Sequence, residues 1–350
     1  MLTEFITAVQ EGRELTRADI TRVVALLADA APPVEDKASF LASLAAKGET
    51  TSEIAGFAEE LRSRSIPLPW NAAEAGGEVL DVCGTGGDRL DTFNISTTVA
   101  LVCAAAGVTV AKHGNRAVTS KSGSADVLDA LGIPVDLTPD AAARSLREHR
   151  FAFLFAPRFH PAFQNIAPAR ALCARRGQRT LFNFLGPLLN PARPTAQLLG
   201  VPRPDLVEPM ARTLQQLGIR RAMVVAGAVP GGAFLDELST LGDNTVAEFY
   251  QDRGFSTSTW SARPFPLLPA ALDDLKGGDC HANAGIIGRI LRGEDTGPRR
   301  DAVLLNAGAA LFVADAARSI MEGWERAADV LAAGSAWRLV EALRAGRQTR

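Results

Sequence analysis

The stretch DVCGTGGDRLDTFNIST, residues 81–97, carries three glycines (Gly84, Gly86, Gly87), four hydroxyl residues (Thr85, Thr92, Ser96, Thr97), Asp88 and Asn94 directly after the apolar pair Val79-Leu80. So many small donors beside so few apolar groups suit phosphate and sugar oxygens. The dinucleotide fingerprint G-x-G-x-x-G is absent, because polar residues follow the glycines, and no Gly-Lys-Ser/Thr ending marks a Walker loop. A second polar loop runs from Lys112 through His113, Asn115 and Ser120 to Ser124. It adds positive charge, and Ser124 is placed to cap the helix that holds Val127, Leu128 and Leu131. Backbone N–H groups at glycine turns and helix starts, with lysines beside them, form an anion cradle. The third piece is Asp236-Glu237, after the glycine-rich stretch 227–232. Carboxylates are hard oxygen donors of the kind that hold Mg²⁺ jointly with substrate phosphates. Together the three pieces predict a site for a phosphorylated sugar, with a metal bridging a diphosphate.

The elements that must position these loops are legible in the hydrophobic pattern. Residues 1–67 carry helical periodicity only, with Ile20, Val23, Val24 and Leu27 on one stripe and Phe40, Leu41 and Leu44 on another. Pro32-Pro33 separates two helices, Thr51, Ser52 and Glu53 open another, and Pro67 and Pro69 close the region. From Val79 the pattern becomes βαβα: a strand over 79–83, a helix from about 96 to 106, a strand over 108–111 and a helix over 124–131. Gly107 and Gly132 stand where left-handed caps end those helices, and 151–155 and 223–226 add strands. The expected fold class is α/β. A small N-terminal α-helical domain, residues 1–68, is completed by helices around 161–178; a large α/β domain with a mostly parallel central sheet occupies 69–350. In such sheets ligands sit beyond the carboxyl ends of the strands, where both polar loops fall.

Composition narrows the partners. The chain has 350 residues, 47% hydrophobic and 22% charged, enough for a large core. Lys and Arg number 37 against 39 Asp and Glu, so bulk charge does not attract a polyanion and phosphate binding must be local. A nucleic-acid partner is not expected. Cys83, Cys103, Cys173 and Cys280 form no C-x-x-C pair, which reads as reduced thiols without a structural metal. No run approaches the roughly 18 apolar residues of a membrane span, and Glu4 and Glu11 break any leader pattern. A cytoplasmic protein without a membrane partner is the expectation.

The blocks GTGGD (84–88), FNIST (93–97), KHGNR (112–116), SGSADVLDALG (122–132), HPA (160–162), RTLFNFLGPLLNP (179–191) and DELS (236–239) resemble, in order and spacing, the anthranilate phosphoribosyltransferases over nearly the whole chain. The resemblance implies transfer of the phosphoribosyl group of 5-phosphoribosyl 1-diphosphate (PRPP) to anthranilate, giving N-(5-phosphoribosyl)anthranilate and pyrophosphate, the second step of tryptophan synthesis from chorismate. It implies Mg²⁺, as two ions shared with the diphosphate, and a homodimer joined through the N-terminal helices. Carried onto this chain, Gly84, Gly87, Asp88, Thr92, Asn94, Ser96 and Thr97 would hold PRPP, with Lys112, Asn115, Ser120 and Ser124 from the second loop. Ser96, Asp236 and Glu237 would ligate magnesium. Anthranilate would meet Gly84, Asn115 and Arg170, lined by His113 and Pro187, and the planar fork of Arg170 suits a carboxylate. No catalytic base is assigned; His113 is the one candidate for proton transfer.

Two stretches depart from the family pattern. Between Arg170 and Arg179 the segment ALCARRGQ is about three residues long for the family, beside the acceptor site. The approach GAVPGGAFLDE is also long, and Ala226 replaces the usual histidine, which would alter a gating loop. The apolar stripe from Leu15 to Leu27 reads either as internal packing or as a dimer face, the latter favoured by the resemblance. Alternative functions are a pyrimidine nucleoside phosphorylase-like enzyme and a catalytically inactive nucleic-acid-binding relative. The intact GTGGD block and Asp236-Glu237 argue against the first, and balanced charge against the second.

Overall fold

The computed structural model describes residues 1–117, 121–251 and 253–346, so Ser120 lies outside the described residues. Four helices come first: Leu2–Gln10, Arg17–Ala28, Val34–Lys47 and Thr51–Ser63. Their starts follow from local chemistry. Thr16 and Asp19 cap each other reciprocally at the second helix, and Thr50 with Glu53 does so at the fourth, which begins at Thr51 as expected with its cap one residue earlier. Leu15, Ile20, Val23, Val24 and Leu27 are all buried within the chain itself. The stripe is internal packing, which corrects its reading as a dimer face.

Among the described residues eight strands form one sheet: β1 (Val79–Gly84), β2 (Thr109–Gly114), β3 (Phe151–Phe155), β4 (Ala196–Gly200), β5 (Arg221–Ala228), β6 (Phe234–Leu235), β7 (Asp243–Tyr250) and β8 (Gly254–Ser261). The order is β3-β2-β1-β4-β5-β7-β8, with β6 hairpinned onto β5. The first five are parallel; β7 and β8 are antiparallel. Helices cover both faces, as a parallel sheet requires. Alternate residues feed two cores: Leu80, Val82, Leu198 and Met223 pack with the helices Ile95–Ala105 and Pro298–Val313. Cys83, Leu199 and Val224 pack instead with the N-terminal helices and with Ile166, Ala169 and Cys173 of the helix Phe163–Arg175.

Both stretches expected to depart from the family pattern consist largely of regular structure. The segment after Arg170 continues the helix Phe163–Arg175 to its end, and Arg176, just beyond it, donates to both carboxylate oxygens of Glu35 at 2.9 and 3.1 Å. The approach to the acidic pair is a β5–β6 hairpin, paired at Gly227–Leu235 and Ala228–Phe234, whose tip turns on Gly231 and Gly232 at φ 94° and 82°. It is an arm of the sheet that ends at Leu235, one residue before Asp236, and Ala226 is buried in the core.

Candidate active site

Gly84 closes β1, and the chain then turns through Gly86 and Gly87, both with positive φ (77° and 90°), in the left-handed region that glycine enters without steric cost. The Gly86 N–H donates to Asp236 Oδ2 at 2.7 Å, and a Cβ at Gly84 would lie 2.1 Å from that same oxygen. Further along, Ser96 N–H donates to Glu237 Oε1 at 3.0 Å. The acidic pair therefore meets both ends of the glycine loop, Gly86 at its start and Ser96 in the first turn of the helix Ile95–Ala105. Lys112, buried in β2, donates to Val82 O at 2.5 Å and to Ser96 Oγ at 3.4 Å. One of its three N–H groups remains without a partner among the described residues. Thr92 bridges to Lys276, and Thr97 is buried beside Ser96.

Asn94 is committed to protein. Its Nδ2 donates to Ser122 O at 3.1 Å and its Oδ1 accepts from Asn283 Nδ2 at 2.9 Å, so it ties the first loop to the second. Lys121 pairs with Asp91 across the same gap at 2.8 Å. In the second loop the cap of the short helix is Gly123, not Ser124. The Asp126 carboxylate accepts from Gly123 N and Ala117 N at 3.0 and 2.8 Å, taking the capping role, and Ser124 is the first helical residue with its hydroxyl on Asn115 O at 3.4 Å. Asn115 is exposed, its Oδ1 accepting from Arg116 N–H at 2.8 Å.

On the other side of β2 an aromatic series leads away from the loops. The rings of His113 and His160 lie 5.2 Å apart, His160 and Phe163 5.7 Å, and Phe163 and Phe182 5.6 Å. Arg170 lies 5.9 Å from the Phe163 ring centroid and 5.2 Å from that of Phe182. Pro187 follows Gly186, whose carbonyl contacts the His113 ring. Both imidazoles are buried and the Nε2 of each has no partner among the described residues. Burial holds His113 down to about 3, reinforced by His160, and burial holds His160 down to about 4. A neutral imidazole with a free lone pair accepts a hydrogen bond well and stores a proton poorly, which disfavours His113 as a base.

The depressed values have a stability consequence. Well above pH 6.5 neither the folded nor the unfolded histidine is charged. As pH falls toward 4 the unfolded chain takes up a proton that folded His160 refuses, so stability is lost at up to ~1.4 kcal/mol per pH unit. Denaturant unfolding between pH 6.5 and 4.5 is expected to show a shallower loss for His160→Gln than for the parent. Equal slopes would mean that His160 titrates normally in the fold.

The acidic corner is electrostatically unfinished. Burial, and then the charge of Asp88, pushes Asp236 well above the carboxylate range; burial, and then Asp236, does the same to Glu237, and burial raises Asp88. Three carboxylates thus crowd one corner, where the charge of Lys112 only partly offsets that of Glu237. Such oxygen donors fit Mg²⁺. Among the described residues no three His, Cys, Asp or Glu side chains are arranged to enclose an ion by themselves. The donor set therefore fits a metal whose remaining ligands come from a bound diphosphate.

The family model described as glycosyl transferase family, helical bundle domain, matches residues 3–65, and the glycosyl transferase family a/b domain matches 76–337. Anthranilate phosphoribosyltransferase from Herpetosiphon aurantiacus is 42% identical over 96% of this chain and 96% of its own, and that from Thermomicrobium roseum is 47% identical over 88% and 86%. The chain belongs to the anthranilate phosphoribosyltransferase family. The crystal structure of the Thermus thermophilus member superposes with a TM-score of 0.87 at 39% identity, covering 98% of each chain. The Saccharomyces cerevisiae member in complex with PRPP and Mg superposes with a TM-score of 0.87 at 25% identity, covering 100% of this chain and 98% of that one. A pentosyl-transferring enzyme with an N-terminal helical domain and a mostly parallel α/β domain is the family's form, and this chain has it.

Several residues at the anthranilate phosphoribosyltransferase site escaped sequence reading. Asn283, almost fully buried, takes Gly278 N–H at 2.8 Å and passes the contact to Asn94. Gly200, at the end of β4, lies under the Asp236 carbonyl. Asn190 donates to Asp81 Oδ2 at 2.8 Å and to Ala111 O at 2.7 Å, pinning the GPLLNP segment across β1 and β2. Asp81, fully buried, is pushed up to about 6 by burial despite Lys112. Only Asn190 lies in a quoted family block; nothing in the local sequence marks the others.

Proposed function

We propose that this chain moves the phosphoribosyl group of PRPP onto the amine of anthranilate, releasing pyrophosphate, in the cleft between the glycine loop and the aromatic series. The observation that carries this reading is the meeting of Asp236 and Glu237 with the backbone N–H groups of Gly86 and Ser96. Gly84, Gly87, Asp88, Thr92, Ser96, Thr97, Lys112, Asn115 and Ser124 are then the PRPP contacts, with Asn94 holding the two loops together. Ser96, Asp236 and Glu237 would hold two Mg²⁺ ions, which when bound neutralise the leaving diphosphate. Arg170 orients the anthranilate carboxylate, Gly84, Asn115 and Pro187 border the acceptor, and His113 accepts a hydrogen bond from its amine at Nε2. An aromatic amine is already neutral near pH 7, so positioning dominates, and well-oriented reactants gain roughly 7–11 kcal/mol.

Residues 1–68 with the helix Phe163–Arg175 form one lobe and the sheet the other, and the core of those helices rests on the sheet through Cys83, Leu199 and Val224. A homodimer joined through the N-terminal helices, at residues other than the buried stripe, and a cytoplasmic location complete the reading; no described helix is long and apolar enough to cross a membrane.

Fluorescence of anthranilate, followed with PRPP and with or without Mg²⁺, tests the reaction. Magnesium-dependent loss of the signal is expected, and its absence with PRPP still bound would overturn the assignment of the acceptor. In Asp236→Asn with Glu237→Gln, removal of two charges is expected to raise the half-saturating magnesium concentration at least about tenfold, since charge count sets affinity. An unchanged titration would take both residues out of the metal site.

A further inference from the structure

The segment Asp236–Ser239 lies outside the described helices and strands, following β6, which ends at Leu235, yet Glu237, Leu238 and Ser239 are buried. Buried backbone must be satisfied, and here two asparagine side chains do it. Leu238 N–H donates to Asn306 Oδ1 at 2.9 Å while Asn306 Nδ2 donates back to Leu238 O at 2.9 Å. One residue on, Ser239 N–H donates to Asn244 Oδ1 at 2.7 Å and Asn244 Nδ2 returns to Ser239 O at 3.0 Å. Both asparagines are fully buried. Each is itself immobilised: Asn306 Nδ2 also reaches Ala302 O, one turn back in the helix Pro298–Val313, at 2.9 Å, and Asn244 sits in β7 opposite Gly227.

From below, the same segment rests on glycines at the ends of neighbouring strands. A Cβ at Gly200 would lie 1.6 Å from Asp236 O, and one at Gly227 would lie 2.5 Å from both Glu237 O and Ser239 N. The two residues after Glu237 are thus gripped from above by side chains and from below by bare backbone, which fixes the directions in which Asp236 and Glu237 leave the chain.

We infer that Asn244 and Asn306 are positioning residues for the metal-binding carboxylates: by clamping Leu238 and Ser239 they set the spacing of Asp236 and Glu237 and so the affinity for the metal bound with PRPP. This rests on the metal role given to Asp236 and Glu237 above. Groups that orient ligands from behind commonly change metal affinity by about 10–100-fold when removed.

The test uses Mn²⁺ as the probe, with free Mn²⁺ followed by electron paramagnetic resonance as full-length protein is titrated in the presence of PRPP and without anthranilate. Asn306→Ala and Asn244→Ala are each expected to weaken Mn²⁺ binding about tenfold. Asn244→Ser, which returns a hydroxyl acceptor to Ser239 N–H, is expected to recover part of that loss. The KM for anthranilate is expected to change far less than Mn²⁺ affinity, because Arg170, the carboxylate's partner, lies along the aromatic series beyond His113 and His160 and touches neither asparagine. A lowered melting temperature with unchanged Mn²⁺ affinity would make the asparagines purely structural and overturn the inference. The Asp236→Asn, Glu237→Gln variant is titrated alongside. If it too leaves Mn²⁺ affinity unchanged, the metal reading itself has failed; if it alone weakens binding, only the positioning role has failed. Should Asn306→Ala not fold, Asn244→Ala and Asn244→Ser carry the same comparison.

Discussion

Gly200→Ala is expected to lower kcat/KM for PRPP by on the order of a thousandfold while leaving most of the fold intact. The added methyl carbon would sit 1.6 Å from the main-chain oxygen of Asp236, where ordinary contact begins near 3.4 Å. The acidic segment must then recede by about 1.8 Å, the difference of those distances. A misplacement of about 1 Å already costs roughly a hundredfold in a well-positioned site. Retreat is the cheapest relief, because Gly200 is fixed on both sides by β1 and β5, whereas Asp236 begins an irregular segment. As Asp236 moves it loses the Gly86 N–H at 2.7 Å, and that loop loses its anchor. Circular dichroism and a thermal melt check that the sheet survives. A Gly200→Ala enzyme with kcat/KM near that of the parent would show that the acidic pair tolerates displacement, and its carboxylates would then not be set by the strand ends.

The asymmetry between what sequence reveals and what it hides has a physical origin. Gly84, Gly86, Gly87, Asp88 and the hydroxyls sit within one local stretch, so their small size and polarity stand out against the apolar strand before them. The strands are as visible: β3 falls at Phe151–Phe155 as the pattern predicts, and Gly107 and Gly132 take the positive φ expected of helix ends. Gly200, Asn244, Asn283 and Asn306 leave no such trace. Gly200, Asn283 and Asn306 work through partners brought in by the fold, 189 residues away for Asn283 and Asn94 and 68 for Asn306 and Leu238, while Asn244 meets Ser239 only five residues back, through a local turn that no residue pattern marks. A glycine needed because another backbone crosses it looks like any other strand-end glycine until the register is known. The stripe from Leu15 to Leu27 fails in the opposite way. Amphipathic periodicity says that a face is buried and not by what, and the remaining helices of the bundle cover it.

Arg170→Ala is expected to cut kcat/KM for anthranilate by about 30-fold to several thousandfold, the equivalent of roughly 2–5 kcal/mol for one partner of a desolvated charge pair. The guanidinium is half-buried, and burial lowers its pKa from the usual arginine value. Its neighbours are the rings of Phe163 and Phe182, and no carboxylate among the described residues pairs with it. A cation held this way has lost water without gaining a counter-ion, so an incoming carboxylate recovers that cost and both N–H groups of the fork are free to meet it. Arg170→Lys keeps the charge but loses the fork and the stacking, and is expected to fall between the parent and the alanine variant. Equilibrium binding of PRPP separates this from a general collapse of the site. It is expected to be unchanged, because the diphosphate contacts gather on the loops after β1 and β2 while Arg170 lies beyond His113 and His160. Loss of both substrates together would place Arg170 in the packing between the lobes, and unchanged anthranilate kinetics would remove it from the acceptor site and leave the aromatic series without its anion partner.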